Sequence, residues 1–309
     1  MSGLIEKIFT EHLYGIGVWT QSSDAFRINV LDCKQWWADP VPYREGDQDY
    51  VFCEVMDRSR EIGWIGVSEM DRDGRMSRPE PVIREPFHMS FPELLTDGRD
   101  LYMIPETSAA GEIRVYKKGA TIRDWSLYAT FPGYRVVDLS VAKTETAASG
   151  HTVCTLLGSS ETEPHSLLTK LRLFELDLQE KTLAELTEET AETEPTYWNR
   201  NGGSVIRSEN ALIRVAQEAE EGFYGRNICL FQIDRIGRGQ HYQETLQKKI
   251  TINDLSAQYP SGNWRGIGIH TWQEKQDLCV IDVHLTHTGW TVPFTRAGRV
   301  IRKHFRRNR

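Results

Sequence analysis

Three carboxylates in this sequence lie where strands are predicted to begin or end, and carboxylates can carry acid–base chemistry. Asp39 and Asp138 each lead a short apolar stretch, whereas Glu106 ends one. A carboxylate can serve as a general base, and a carboxyl group with a raised pKa can serve as a general acid. Such chemistry requires a fold that brings these distant residues into one site.

Short motifs led by a small or polar residue recur at intervals of roughly 50 to 65 residues. They are Ala38-Asp39-Pro40, His88-Met89-Ser90-Phe91-Pro92, Val137-Asp138-Leu139-Ser140, Asn201-Gly202-Gly203-Ser204 and Gly268-Ile269-His270-Thr271. That interval suits a four-stranded propeller blade, and five such units account for about the whole chain. We predict an all-β fold, a five-bladed β-propeller over residues 1–295 followed by a basic segment at residues 296–309. A two-sheet sandwich with irregular loops is the alternative.

Local signals favour strands over helices. Stretches rich in Val, Ile, Tyr, Phe and Trp are separated by turn pairs such as Asp73-Gly74 and Asp97-Gly98, and Asp-Gly between apolar stretches is a strong hairpin signal. A helical apolar face is plausible only at Leu4–Leu13 and Leu168–Leu186, and the second segment also alternates like a strand.

A propeller would bring the motif residues together, because the innermost strand of each blade begins near one end of the central channel. We therefore expect Asp39, His88, Asp138, Arg200 and His270 to line one cavity, with Glu106 beside them.

Charge is unevenly distributed in the 309-residue chain, whose net charge is −7. Residues 296–309 contain seven basic and no acidic residues, which leaves 30 basic against 44 acidic residues elsewhere, a net charge of −14. The acidic remainder argues against a nucleic-acid binder, which needs a positive face. The basic segment predicts contact with an anionic membrane surface, and docking on the acidic body of the protein is the alternative.

No apolar stretch is long enough to cross a bilayer, and the N-terminus lacks the pattern of a secretory leader. The expected location is therefore cytoplasmic, at the inner membrane surface if the basic segment binds there. Five scattered cysteines without a CxxC pair predict reduced core thiols. The pair His284 and His287 would face opposite sides of a strand, so neither a metal site nor a cofactor is predicted.

Several stretches together resemble the N-terminal domain of the glucosamine inositolphosphorylceramide transferase family. They are Trp36-Trp37-Ala38-Asp39-Pro40, Phe87-His88-Met89-Ser90-Phe91-Pro92-Glu93, the segment from Leu101 to Ser108, Gly111-Glu112-Ile113-Arg114-Val115-Tyr116, Val137-Asp138-Leu139-Ser140, Arg214-Val215-Ala216-Gln217, Tyr224-Gly225-Arg226 and His270-Thr271. The resemblance covers about Gly15 to Asp282 and implies a propeller similar to those of arabinanases and xylosidases.

The resemblance implies glycosyl transfer or hydrolysis, which needs a carboxylate on one side of the sugar and a protonated acid on the other. Asp39 is then the expected base and Glu106 the expected acid. Asp138 would hold a sugar hydroxyl, tune the pKa of the acid or replace it. Ser90 stands where hydrolytic five-bladed propellers tend to place an aspartate, and Arg200-Asn201-Gly202-Gly203 replaces an expected Arg-Pro-Ala-Gly-like turn.

The expected sugar-binding residues combine aromatic faces with polar groups. They are Trp37, His88, Ser90, Trp198, Arg200, Gln217, Tyr224 and His270. Each candidate also has a purely structural interpretation: a turn cap for Asp39, a surface carboxylate for Glu106, an inter-blade ion pair for Arg200, and packing for the histidines, the tryptophans, Gln217 and Tyr224.

Two functions remain open. The first is a carbohydrate-active enzyme of glycan biosynthesis acting on a sugar, nucleotide-sugar or glycolipid substrate. The second is a non-catalytic glycan-binding propeller that works with a separate glycosyltransferase.

Overall fold

The strands form five sheets, each one blade of a propeller. The computed structural model describes residues 8–31, 34–163, 166–186, 196–208, 211–219, 223–275 and 277–297. The chain begins in the fifth blade with β1 (Thr10–Thr20) and β2 (Phe26–Asn29). The first blade comprises β3 (Gln35–Glu45), β4 (Gln48–Asp57), β5 (Ile62–Met70) and β6 (Glu80–Ile83), and the second comprises β7 (Ser90–Thr96), β8 (Leu101–Glu106), β9 (Glu112–Lys118) and β10 (Trp125–Pro132). The third comprises β11 (Val137–Thr146), β12 (Thr152–Glu161), β13 (Thr169–Asp177) and β14 (Thr182–Glu185), and the fourth comprises β15 (Ile206–Arg207), β16 (Leu212–Glu218), β17 (Asn227–Arg235) and β18 (Gln243–Ile250).

The fifth blade closes the ring by pairing the two ends of the propeller. Its later strands are β19 (Ala257–Gln258), β20 (Asn263–Lys275) and β21 (Leu278–Thr288), and the sheet order is β19-β2-β1-β21-β20. All neighbouring strands of the five sheets are antiparallel except β19 and β2, which are parallel. β1 pairs antiparallel with β21 along its whole length, from Thr10 opposite Thr288 to Thr20 opposite Leu278. The five-bladed β-propeller predicted from the sequence is thereby confirmed.

The apolar core lies largely between neighbouring blades. In one cluster Tyr102 and Val115 of the second blade pack with Val141, Leu156 and Phe174 of the third. Removing this area from water stabilises the contact between blades, since burial of an apolar side chain contributes roughly 1.5 to 3 kcal/mol.

The inner strands of the first three blades share a local distortion at the same place. Asp39, Phe91 and Asp138 have positive φ angles of 51°, 44° and 50°. In each strand the pairing register with the next strand shifts at that residue. A bulge with a left-handed residue re-aims the side chains around it, so the start of each inner strand departs from regular alternation.

The strands test two local expectations, the hairpin at Asp97-Gly98 and the two helical segments. The hairpin at Asp97-Gly98 joins β7 to β8, and Gly98 has the positive φ of 87° that such a turn needs. The helical interpretation is wrong for Leu168–Leu186, which contains β13 and β14. Within Leu4–Leu13 it holds only at residues 8–9, because residues 10–13 begin β1. Residues 4–7 lie outside the described residues.

Short helical segments are few among the described residues. Single 3-10 turns form at Ser108–Ala110 and Ile252–Asp254, and residues 8–9 and 292–297 are helical. Within the described ranges, no helix is long and apolar enough to span a bilayer. The basic segment lies outside the described residues from position 298 onward, and the division at residue 295 stays a prediction.

Candidate active site

A cavity of about 630 Å³ opens among the second, third and fourth blades. Its wall contains His88, Glu106, Ser108, Ala109, Arg135, Val137, Glu161, Thr162, Glu163 and Arg200. Three of the predicted site residues, His88, Glu106 and Arg200, therefore share one cavity. Their elements differ: Glu106 ends β8, His88 precedes β7, and Arg200 precedes β15.

Glu106 is held at the cavity wall by two hydrogen bonds. Its Oε1 accepts from the Ser108 hydroxyl at 2.7 Å, and its Oε2 accepts from the Asp138 backbone N–H at 3.2 Å. Burial and the nearby Asp138 carboxylate together raise the pKa of Glu106 to about 8, against the opposing charge of Arg200. Glu106 is therefore mostly protonated at neutral pH, which is the state that a general acid needs.

Asp138 forms a buried ion pair with Arg200. Its Oδ2 accepts from Arg200 Nε at 2.6 Å and from Gln217 Nε2 at 3.2 Å. The Arg200 guanidinium lies 5.0 Å from the centre of the Tyr224 ring. Burial opposes the charge of Arg200, but Asp138 and Tyr224 hold its pKa well above the usual range. Asp138 therefore holds the cation at the cavity wall and is poorly placed to replace Glu106 as the acid.

Asp39 lies deeper and belongs to a second cluster with His270. Its side chain is 5% exposed. Asp39 Oδ2 accepts from the Phe91 N–H at 3.1 Å, and the Asp39 N–H donates to Asp282 Oδ2 at 2.9 Å. Asp39 Oδ1 lies 3.3 Å from His270 Nδ1, without a well-aligned hydrogen bond among the described residues. Burial raises the pKa of Asp39, against the effect of His270, and the negative charges of Asp282 and Asp138 add to the rise.

His270 is placed to be an imidazolium between acidic partners. Its Nδ1 is 2.9 Å from Asp282 Oδ2, and its Nε2 is 2.6 Å from the Tyr224 hydroxyl. Burial acts to lower the pKa of His270, but Tyr224 and Asp282 raise it well above the usual range. The ring then donates from both nitrogens, and its charge balances the buried carboxylates of Asp39 and Asp282.

Asp39, His270 and Asp282 also have the composition of a metal site, which the sequence did not predict. Asp39, His270 and Asp282 each offer one ligand atom, and these atoms lie within 4.8 Å of one another. A metal ion there would require His270 to lose its Nδ1 proton, because a ligating nitrogen must be deprotonated. The proton and the metal ion are thus alternative ways to neutralise the same carboxylates.

Two of the buried acids that were not predicted as site residues, Glu54 and Asp282, lie on the strands next to Asp39 and His270. Glu54 is 4% exposed, and among the described residues its Oε1 has no hydrogen-bond partner. His88 Nδ1 accepts from the Gly63 N–H at 2.9 Å, which leaves Nε2 to carry the proton, 3.8 Å from Glu54 Oε1. Burial raises the pKa of Glu54 well above its usual range, and Asp39 raises it further. The second missed acid is Asp282, which is fully buried.

A sequence signal for both acids exists. Glu54 interrupts the apolar stretch Val51-Phe52-Cys53-Glu54-Val55, and Asp282 interrupts Val280-Ile281-Asp282-Val283. A single carboxylate within an otherwise buried strand is rarely tolerated without a partner or a role. Such an interruption marks a residue that faces the channel.

The two tryptophans expected at the cavity lie elsewhere, which corrects that expectation. Trp37 is 2% exposed in the core cluster around Val51 and Val55, and its indole N–H donates to the Asn29 carbonyl at 3.1 Å. Trp198 packs on the fourth-blade cluster formed by Ala216, Cys229 and Phe231.

The remaining predicted residues lie around the two clusters. Ser90 is buried at the start of β7, directly opposite Glu106 in β8. Gln217 and Tyr224 contact Asp138 and His270, respectively. All five blades thus supply residues to one connected group. Hydrogen bonds run from Asp39 to Asp282, from Asp282 to His270 and from His270 to Tyr224, whose ring lies beside Arg200. Arg200 pairs with Asp138, whose N–H donates to Glu106.

Comparison with known proteins gives both a family and a fold. The family model described as "Glucosamine inositolphosphorylceramide transferase 1, N-terminal" matches residues 26–279. The proteins named glucosamine inositolphosphorylceramide transferase 1 of Arabidopsis thaliana and Oryza sativa subsp. indica are 23% and 24% identical, over 84% and 77% of this chain. The matches cover 34% and 31% of those proteins, so the chain spans about a third of the length of these relatives.

Solved structures with the same fold include glycoside hydrolases. The catalytic domain of the Coprinopsis cinerea GH62 α-L-arabinofuranosidase superposes with a TM-score of 0.53 at 10% identity, over 80% of this chain and 90% of that one. A thermostable family-43 glycoside hydrolase gives a TM-score of 0.51 at 10% identity, over 81% and 88%. At this identity the likeness establishes the propeller fold alone.

Proposed function

Because the chain belongs to the family described as "Glucosamine inositolphosphorylceramide transferase 1, N-terminal", we propose that it binds a sugar in its cavity and transfers or hydrolyses a glycosyl group there. The observation that carries the proposal is the placement of the Glu106 carboxyl group at the cavity wall, held by Ser108 and the Asp138 N–H, where burial and the Asp138 carboxylate raise its pKa to about 8. Cleavage of a glycosidic bond requires such an acid to protonate the leaving oxygen.

Asp39 is the base in this proposal. Its Oδ1 is the carboxylate oxygen without a well-aligned hydrogen bond among the described residues, and a raised pKa makes the carboxylate a stronger proton acceptor. His270 stabilises the charged form from 3.3 Å. Activation of a water molecule or an acceptor hydroxyl by Oδ1 would then complete the pair of carboxylates.

Arg200 supplies a positive charge that is held in place at the cavity wall. Asp138 and Tyr224 hold the guanidinium in place, so it can bind a sugar hydroxyl or an anionic substrate group without first losing side-chain entropy. Gln217 donates to the same Asp138 oxygen as Arg200 does. In this proposal Asp138 is a positioning residue, and it tunes Glu106 through its charge.

The setting of the reaction is also part of the proposal. A nucleotide-sugar or glycolipid is the substrate class that suits glycan biosynthesis, and a separate glycosyltransferase is a candidate partner. The location would be cytoplasmic, at the inner membrane surface.

A non-catalytic glycan-binding role is the second candidate. It is favoured by the 5% exposure of the Asp39 side chain and by its hydrogen bond to Phe91, which is the contact expected of a structural cap. Ser90 also favours a non-catalytic role, because it stands where a hydrolytic propeller would need an acid. In this role the propeller would present a glycan to a separate transferase.

A panel of 4-nitrophenyl glycosides, together with UDP-sugar donors, tests the two candidates. Calorimetric titration with the same sugars measures binding without turnover. Turnover that Glu106→Gln removes, while the cavity-wall control Glu163→Gln retains it, supports the enzyme. Binding without turnover supports the second candidate, and absence of both contradicts a role on sugars.

A further inference from the structure

Two large aromatic side chains near the end of the described chain are almost fully exposed. Trp290 is 82% exposed and Phe294 is 79% exposed. Ile8, on the neighbouring N-terminal segment, is 45% exposed, and Phe9 packs edge-on against Trp290 with ring centres 4.9 Å apart. We call Ile8, Phe9, Trp290 and Phe294 the aromatic patch. A contiguous exposed apolar surface marks an interaction site more often than chance.

The fold holds the aromatic patch outward. Val292, between the two aromatic residues, is buried at 1% exposure and anchors the segment. The Gly289 N–H donates to the Phe9 carbonyl at 3.0 Å, and Arg296 donates to the Thr10 carbonyl. Because these contacts fix the backbone on both sides, the exposure of Trp290 and Phe294 belongs to the folded protein.

The aromatic patch lies at the cavity end of the propeller. Thr10 and Asn263 both pair with Thr288, so β1 and β20 begin, and β21 ends, at the same edge. The inner strands of a propeller run in one direction, and Asp39 and Asp138 lie near the starts of theirs. The fifth blade reaches beyond the site, because His270 is seven residues into β20, or roughly 23 Å at 3.3 Å per residue.

Strong positive charge adjoins the aromatic patch in sequence. The basic residues are Arg296, Arg299, Arg302, Lys303, Arg306, Arg307 and Arg309, with no acid among residues 296–309. Aromatic side chains favour the bilayer interface, and clustered cations favour anionic headgroups. A second copy docked through this face would bring two sets of seven cations together, which argues against a dimer.

We propose that the aromatic patch, together with the basic segment, docks on an anionic lipid bilayer with the cavity end of the propeller facing the membrane. Trp290 and Phe294 would enter the interface, while the cations bind lipid phosphates. The cavity would then face molecules held in that bilayer. The inference rests on exposure and charge and does not require the cavity to be catalytic.

Cosedimentation of the full chain with lipid vesicles tests the inference without any sugar substrate. Vesicles of phosphatidylcholine alone are compared with vesicles containing about 30% phosphatidylglycerol, at low and at physiological salt. We expect binding to the anionic vesicles and a partition coefficient lowered about tenfold in Trp290→Ala/Phe294→Ala. The matched control is Leu127→Ala/Leu246→Ala, which removes two half-exposed leucines from outer strands of other blades and should bind as the unchanged protein does.

A charge variant separates the two contributions. Replacement of Arg302, Lys303, Arg306 and Arg307 by Gln should lower binding most at low salt, where unscreened charges attract the bilayer most strongly. Equal binding by the aromatic double variant and the unchanged protein would overturn the inference, as would a lack of binding to anionic vesicles. A dimer in analytical ultracentrifugation that Trp290→Ala/Phe294→Ala dissociates would assign the patch to self-association instead. Because vesicle binding is measured without a sugar, a failure to bind vesicles would overturn this inference and leave the proposed action on sugars untouched.

Discussion

The Asp138 backbone N–H donates to Glu106 Oε2 at 3.2 Å, although the two residues belong to neighbouring blades. The same Asp138 carries its carboxylate into an ion pair with Arg200. One residue thus joins the acid of the second blade to the cation of the fourth. The bulge at Asp138, with its φ of 50°, turns the backbone N–H and the carboxylate toward these two partners.

The state of Glu106 predicts the pH dependence of any glycosyl-transfer rate. The rate should fall on the alkaline side as Glu106 loses its proton near its pKa of about 8. Loss of a general acid typically costs a factor of 10² to 10⁴, so we expect Glu106→Gln to lower kcat by about that factor. For substrates with a good leaving group, which need no proton from an acid, the fall in rate at alkaline pH should also disappear. An unchanged pH–rate profile in the variant would contradict the assignment, and Glu163→Gln serves as the control from the same cavity wall.

Glu106 should also make folding stability depend on pH. Its pKa is raised from 4.5 to about 8 in the folded protein, so the native state binds the proton more tightly than the unfolded state. This contribution is fully present below pH 4.5 and is lost as pH rises to about 8. Glu106→Gln mimics the protonated form. We therefore expect its Tm to match that of the unchanged protein at pH 5 and to exceed it at pH 9, as measured by thermal unfolding across that range.

The five-bladed fold could be predicted because its signals are local and repeated. The recurring motifs mark inner strands, and the geometry of a propeller brings those strands together without any knowledge of individual contacts. Trp37 could not be placed this way. In a regular strand Trp37 and Asp39 would share a face, but the left-handed bulge that follows Ala38 breaks the alternation. Asp39 therefore lies beside His270 while the Trp37 indole packs in the core.

The two missed acids could be placed beside predicted site residues only with the pairing register between the first and second strands of a blade. Glu54 pairs opposite Ala38, the neighbour of Asp39, and Asp282 pairs opposite Thr271, the neighbour of His270. Each missed carboxylate therefore lies beside a predicted site residue on the next strand. The sequence does not show this register, because it is set by the bulges in β3 and β20.

The ion pair between Asp138 and Arg200 predicts that removing one of the two charges destabilises the protein more than removing both. Arg200→Ala would leave the Asp138 carboxylate, whose side chain is 3% exposed, without its cation. Breaking a buried pair from one side costs about 3 to 5 kcal/mol. The double variant Asp138→Asn/Arg200→Gln removes both charges and should recover part of that loss. Urea unfolding measures both, and equal destabilisation by the single and double variants would show that the charges are not coupled.

The charge on His270 can be observed directly. Nitrogen chemical shifts from ¹⁵N-labelled protein distinguish an imidazolium from a neutral or metal-bound ring. Because Tyr224 and Asp282 outweigh burial, we expect both ring nitrogens of His270 to remain protonated well above pH 6.5. In Asp282→Asn the pKa of His270 should fall. Ring shifts of a metal-bound nitrogen that a chelator reverses would assign the cluster to a metal ion instead.

Asp39 offers a comparison that separates a base from a structural cap. An Asn at this position can still accept from the Phe91 N–H through its amide oxygen, and Asp282 would still pair with His270. Asp39→Asn should therefore keep a Tm close to that of the unchanged protein but lose a factor of about 10² to 10⁴ in rate, because the amide cannot take a proton. Asp39→Ala removes the acceptor altogether. It should lose activity and also about 1 to 3 kcal/mol of unfolding free energy, the cost of an unsatisfied buried N–H. If Asp39→Asn turns over substrate at the original rate while Asp39→Ala unfolds, Asp39 is a cap that joins the first and second blades, and the base must be sought elsewhere.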